Sequence, residues 1–324
     1  MLDAILFVQL GSPEEATPES VKKYLVEFLG DWHTLGNPPF FWNALLKFII
    51  APRRSAKSAE KYRLMVENSG LGEMPLIYYT RRFSEEAAKI IGQEIPVRHA
   101  FEFGARPSIG DVLEEFNRLG KREICVVPLY PQRSLVTTVA VRDLAQDAFR
   151  RFPSQKMRFV EGFPMNRVWL EETLNNILLH WDKKCPVVFS FHGIPEKWER
   201  LGDPYRSDCE REFEWFQGKL KEVSAEAKIY KAYQSRFGKG KWLGPSAKEV
   251  LEDLGMRHVD VLVVCPSFTA DNLETLYEAD VELNALFKAA GGGRFVRIPC
   301  LNLNESWIRR FAEEILRISQ METR

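Results

Sequence analysis

The chain has 324 residues, 45% of them hydrophobic and 28% charged, more than one hydrophobic core usually organises, so two domains or one large α/β unit is expected. Lys plus Arg and Asp plus Glu number 45 each, so the summed field gives no reason to expect a nucleic-acid partner. Five dispersed cysteines without a Cys-x-x-Cys pair argue against a disulfide framework and against a thiolate-built zinc or iron–sulfur site.

The first residues lack a basic segment followed by a long apolar one and run directly into a strand. No signal peptide is therefore expected, and the cytoplasm is the expected compartment. In chain order the candidate strands are Ala4 to Leu10, Pro96 to Phe103, Ile124 to Leu129, Arg158 to Glu161, Val187 to His192, Lys228 to Ala232, Val259 to Cys265 and Phe295 to Ile298. Helix-period segments lie between them, at Ser20 to Leu29, Ser84 to Ile91, Ile109 to Leu119, Leu170 to Trp181, Ser207 to Val223, Ser246 to Leu254 and Glu305 to Ile318. Continuous Val/Ile/Leu strands joined by helices predict parallel sheets covered on both faces. The pattern divides near residue 165 into two similar halves, 1–165 and 166–324, each a doubly wound, Rossmann-like α/β domain. Ligands in such folds sit beyond the carboxyl ends of the strands, and a cleft between the halves is expected to gather those ends.

The stretch 39–51, Pro39-Phe40-Phe41-Trp42-Asn43-Ala44-Leu45-Leu46-Lys47-Phe48-Ile49-Ile50-Ala51, breaks the pattern. It is shorter than the ~20 residues a bilayer requires. One reading is a helix buried between domains. The other is an apolar lip against a membrane surface or an apolar ligand, with Arg53 and Arg54 facing anionic groups.

Two further features carry chemistry. With Asp271 as N-cap, Glu274, Glu278 and Glu282 recur every four residues along one helical face. Like charges so spaced repel, so solvent, a cation or a basic partner must offset them. Solvent is the usual answer, but the position after a buried strand favours a functional one. His192 ends the apolar run Pro186 to Phe191, and Gly193 lets the backbone turn tightly behind it. Neutral imidazole accepts a proton near pH 7 or binds a borderline metal, and carboxylates suit harder cations. His192 with Glu274 therefore reads as a metal and proton site.

The blocks Ser190-Phe191-His192-Gly193-Ile194-Pro195, Gly202-Asp203-Pro204-Tyr205, Tyr233-Gln234-Ser235-Arg236-Phe237-Gly238, Trp242-Leu243-Gly244-Pro245 and Asp271-Asn272-Leu273-Glu274-Thr275-Leu276 resemble the ordered signatures of the ferrochelatase family. The resemblance extends to the N-terminal half through Leu10-Gly11-Ser12-Pro13 and Tyr130-Pro131-Gln132. It implies insertion of ferrous iron into protoporphyrin IX, giving protoheme, by a bacterial-type enzyme, with His192 and Glu274 as catalytic and metal-contacting residues across the macrocycle. Asp271 and Glu278 would relay protons or metal. Phe41, Trp42 and Leu45 would wall an apolar slot, and Arg53, Arg54 and Arg133 would meet propionates. Iron is a substrate in this reading, no tightly bound cofactor is expected, and the lack of a cysteine cluster after Glu305 predicts no iron–sulfur cluster.

Two departures matter. Glu102-Phe103 stands where bacterial relatives often carry Arg-Tyr, so a cation and a phenol are missing, with Arg106 or Arg133 as compensating candidates. Asn272 stands where many eukaryotic relatives place a histidine. The alternatives are a coproporphyrin ferrochelatase or another tetrapyrrole chelatase, and a noncatalytic heme or metal carrier. The long apolar stretch favours protoporphyrin, because substrates with four carboxylates call for more cations.

Overall fold

Eight strands form where the apolar runs predict them. A computed structural model describes residues 2–35, 39–236 and 240–321, so Phe237 and Gly238 of the Tyr233–Gly238 block lie outside the described residues. The strands are β1 (Ala4–Ser12), β2 (Val97–Gly104), β3 (Glu123–Pro128), β4 (Lys156–Phe159), β5 (Val187–His192), β6 (Ile229–Gln234), β7 (Val261–Val264) and β8 (Phe295–Arg297). They make two four-stranded parallel sheets of orders β2-β1-β3-β4 and β6-β5-β7-β8. The second repeats the first, with β5 in the place of β1. Central strands covered on both faces must be apolar throughout, and β1 and β5 are buried along nearly their whole length.

The chain divides into two compact units, Met1–Tyr130 with Leu135–Gly162 and Leu303–Arg324, and Pro131–Ser134 with Phe163–Asn302. This corrects the division at 165 in two places. The last helix, Glu305–Met321, returns to the first unit, where Trp307 and Phe311 pack on Phe83 and Phe311 also meets Phe7 of β1. Its amphipathic period marks a buried face but does not say which core receives it. The segment Pro131–Ser134 joins the second unit through three successive anchors. Gln132 Nε2 donates to Glu212 Oε2 at 2.7 Å, Arg133 pairs with Asp208, and Ser134 Oγ donates to Asp203 Oδ2 at 2.8 Å.

In the first unit the other face of the sheet packs Ala4, Leu6, Val8, Ile124 and Val126 against helices Ile109–Arg118 and Thr138–Phe149. In the second, Val188, Val261 and Val263 pack against helices Ala247–Met256 and Asn284–Ala289. The stretch 39–51 is helical, Trp42–Leu45 running through a π turn at Leu46–Ile50 into the helix Ala51–Ser69. Leu46 and Ala51 are buried with Leu29, whereas Phe40 is 99% and Phe48 71% exposed. The base of the stretch is thus anchored in the first unit, while Phe40 and Phe48 take no part in that packing.

Candidate active site

β5 delivers the imidazole. Val187 through Phe191 are buried, and His192 at the carboxyl end is the first residue of the strand to emerge. The amide of Gly193 donates to the Gln234 carbonyl at 2.7 Å, and a Cβ there would stand 2.5 Å from that oxygen, so only glycine permits the approach. The His192 backbone is fixed on both sides. Its N–H donates to Ser267 Oγ at 3.0 Å, and its carbonyl accepts from Tyr205 Oη at 2.8 Å. Tyr205 Oη and Ser267 Oγ are themselves 2.8 Å apart, closing a small ring of hydrogen bonds under the histidine. The imidazole meets Phe268 edge-on, with centroids 6.1 Å apart. Burial drives its pKa below the ordinary 6.5, opposed by the charge of Glu278 and a hydrogen bond with the backbone of Gly193. His192 is therefore a neutral base at pH 7.

The acids follow β7. A π-helix over Glu274–Leu283 carries Glu274 and Glu278, a winding that is rare and recurs at functional sites. Its cap is Asn272 and not Asp271. Asn272 Oδ1 accepts from the amides of Glu274 and Thr275 at 3.0 and 3.2 Å, and the Asn272 carbonyl accepts from Leu276 N–H at 2.9 Å. Asp271 is drawn away by Arg297 at the end of β8, whose Nη1 donates to its Oδ1 at 2.7 Å, while Asn302 Nδ2 donates to its Oδ2 at 2.7 Å. Buried with a cation one residue before the cap, a carboxylate pairs with the cation, and the neutral amide beside it caps the helix.

Burial, and then the neighbouring charge of Glu278, raise the Glu274 pKa from 4.5 to about 7. Glu278 is held by Ser235, whose amide donates to Oε1 at 2.7 Å and whose hydroxyl donates to Oε2 at 2.5 Å. Ser235 adopts φ 63°, a left-handed conformation costly for a residue with a Cβ, and both of its donors thereby reach one carboxylate. Gln234 ties the elements together. Its Oε1 accepts from Ser190 Oγ on β5 at 2.8 Å, and its Nε2 donates to the Glu274 carbonyl at 2.9 Å. The charge of Glu278 acts on both His192 and Glu274, so these three form one electrostatic unit.

The other expected residues are placed differently. The guanidinium of Arg133 grips Asp208 with Nε and Nη2 at 2.8 and 2.7 Å, so meeting a propionate would break a bidentate pair to a fully buried carboxylate. The Asp208 pair therefore competes with the expected propionate contact. Arg106, the other compensating candidate, pairs with Asp111 at 3.0 Å. Trp42 donates its indole N–H to the Leu29 carbonyl at 2.8 Å and packs with Leu46, which makes it an anchor of the stretch 39–51. Phe41 is exposed, Leu45 is half-buried, and Arg53 and Arg54 are exposed, all in the first unit. Gln234, Ser235, Ser267 and Tyr205 belong to the site's scaffold and were not singled out from sequence. Their signal was there, since each follows or faces a strand end within a quoted block or beside one.

Comparisons with known proteins show the fold and the family. Bacillus subtilis SirB with Fe3+ superposes with a TM-score of 0.55 at 14% identity, covering 98% of this chain and 96% of that one. The sirohydrochlorin chelatase SirB of Bacillus subtilis subspecies spizizenii in complex with cobalt gives 0.56 at 14% identity, over 99% and 96%. At that identity they show the fold, two Rossmann-like domains of chelatase type. A ferrochelatase of Herminiimonas arsenicoxydans is 36% identical over 324 residues, 96% of this chain and 85% of that protein. The ferrochelatase family model matches residues 2–317, and the chain belongs to the ferrochelatase family.

Proposed function

We propose that this enzyme, a lyase inserting iron into porphyrin as its family does, takes protoporphyrin IX and returns protoheme. Free-base porphyrin must lose two pyrrole protons as it gains a divalent cation, so the site needs bases matched to neutral pH. The observation that carries the reading is that Gln234 links His192, Glu274 and Glu278, its carbonyl accepting from Gly193 beside His192 and its Nε2 donating to the Glu274 carbonyl and to Glu278 Oε2, in a chain matched by the family over nearly its full length. Neutral His192 accepts one proton or contacts the iron, and ionised Glu274 serves as the second base or iron contact. Glu278, fixed by Ser235, passes protons or metal on. Asp271 was expected in the relay. With both oxygens engaged by Arg297 and Asn302, it is better suited to positioning the turn that precedes Glu274. No resident cofactor is invoked, and iron enters as substrate.

The test is anaerobic incubation with ferrous iron and, separately, protoporphyrin IX and coproporphyrin III, following the Soret band. Protoporphyrin is expected to be metallated faster. Faster coproporphyrin turnover would overturn the substrate choice, and no product from either would leave a carrier.

Peripheral membrane attachment belongs to the same reading, within the cytoplasm. Among the described residues no helix is long and apolar enough to cross a membrane. Phe40, Phe41, Phe48 and Ile49 are exposed with Lys47, Arg53 and Arg54 near them in sequence, the composition of an interfacial patch. The protein is expected to sediment with phosphatidylglycerol vesicles, and F40S/F48S to lower the bound fraction severalfold. Equal binding by that variant removes the lip from the account.

A further inference from the structure

His192 and Glu274 each sit where a regular element stops or starts, and such positions leave main-chain groups without a partner inside the element. The His192 main chain points to the β7 side of β5, as that of Pro186 does, whose carbonyl accepts from the Leu262 N–H at 2.9 Å. But β7 pairs with β5 only as far as Phe189 with Val264, so His192 lies beyond that ladder. Ser267, just past the end of β7, supplies the missing acceptor, and the His192 N–H donates to its Oγ at 3.0 Å. Glu274 meets the same need at a helix start. As the first residue of the π-helix it has an amide that no preceding turn can satisfy, and that amide donates to Asn272 Oδ1 at 3.0 Å. Each main chain is thus held at both of its polar groups, by Ser267 and Tyr205 at His192 and by Asn272 and Gln234 at Glu274.

We infer that Asn272 and Ser267 are positioning residues of iron insertion, each fixing the main chain from which one base extends. This rests on His192 and Glu274 being the bases and deepens that assignment. Proton and metal transfer need the imidazole and the carboxylate themselves accessible, so precision has to enter through the backbone behind them. Both residues are buried and both are braced. Asn272 Oδ1 also accepts from the Thr275 N–H at 3.2 Å, its Nδ2 donates to the Ala270 carbonyl at 3.3 Å, and its own N–H donates to Thr275 Oγ1 at 2.9 Å. With two amides on Oδ1 and no lone pair on Nδ2, Asn272 has nothing to offer a metal, which leaves it the task of holding Glu274. At the other base the bonds run in one sense. Tyr205 directs its single proton at the His192 carbonyl, so Ser267 donates to Tyr205 Oη while accepting from the His192 N–H. Ser267 is therefore used as donor and acceptor at once, and alanine there opens the ring.

The experiment follows iron insertion in N272A and S267A and in the conservative variants N272S and S267T, with kcat and the porphyrin KM separated. Loss of one hold lets a base drift by a fraction of an ångström or more, so kcat is expected to fall about 10–100-fold while KM stays within about twofold. N272S keeps a capping oxygen and S267T keeps the hydroxyl, so each should return kcat to within roughly threefold of the parent. Amide hydrogen exchange reads the same contacts without turnover. It should quicken at Glu274 in N272A and at His192 in S267A, and each variant should leave the other base's amide protected. Parent-like kcat in both alanine variants, a loss that the conservative variants do not restore, or unchanged exchange overturns the proposal. If N272A does not fold, S267A, in which β5 keeps its pairing with β6, decides it alone. Normal turnover in both E274Q and H192A removes the bases and this proposal with them, whereas inactive E274Q and H192A beside fully active N272A and S267A overturn the positioning role and leave the bases standing.

Discussion

Glu274→Gln is expected to lower kcat by about 10²–10³-fold with little change in porphyrin binding, because it removes a base and leaves the shape of the π-helix intact. His192→Ala should fall as far. The pH profile separates a chemical role from a structural one. With the Glu274 pKa raised to about 7, the ionised, proton-accepting form is gained as pH rises, so kcat should climb through neutrality in the parent. Glu278→Gln removes the negative neighbour that helps hold that pKa up, so the acid limb should move to lower pH even as the relay slows the plateau. The Ser235 amide keeps an acceptor in that variant, so the helix should stay in place. A profile that keeps its midpoint in E278Q, or normal turnover in both E274Q and H192A, would sink the site assignment.

The fold was legible because its signal is local. A parallel strand buried on both faces is a run of β-branched and aromatic residues, and the runs that became β1, β3, β5 and β7 are of this kind, whereas the less buried β4 forms two residues earlier than its pattern predicts. The helices Ala51–Ser69 and Thr138–Phe149 escaped notice, the first behind charged and small residues such as Arg53, Ser55 and Lys57, the second behind the β-branched start Thr138-Val139. Where the C-terminal helix docks was not legible either, since Trp307 and Phe311 look alike to any apolar core. The site divides the same way. His192 and Glu274 stand out because a chemical residue ends an apolar strand or follows one. Asp271 was misassigned as the cap because the choice between Asp271 and Asn272 depends on Arg297, a residue distant in sequence. The pairing of Arg133 was hidden similarly, as its partner Asp208 sits on a helix far along the chain. Pairings between remote charges are what periodicity does not encode.

The Asp271–Arg297 pair should therefore dominate the stability of the second unit's site. Both side chains are 5% exposed, and Arg297 also donates to Asp280 at 2.9 Å. Arg297→Met strands a buried carboxylate, with Asn302 left as its side-chain partner, and breaking such a pair from one side costs about 3–5 kcal/mol. In urea unfolding this should appear as a clear fall of the midpoint. The double variant R297M/D271N should recover roughly half of it, because removing the orphaned charge removes most of the penalty while the amide still bonds Asn302. Asp280, partly exposed, keeps solvent and needs no such rescue. The same variants connect stability to chemistry. Asp271 and Asp280 bracket Glu274 and Glu278, so Arg297 grips the π-helix at both ends of its acidic stretch. R297K keeps the charge but cannot fork to two carboxylates, and should lose kcat more than stability. An R297M midpoint equal to the parent's would mean that Asp271 is solvated in solution, and its oxygens would then be free for the relay that the buried pair now denies them.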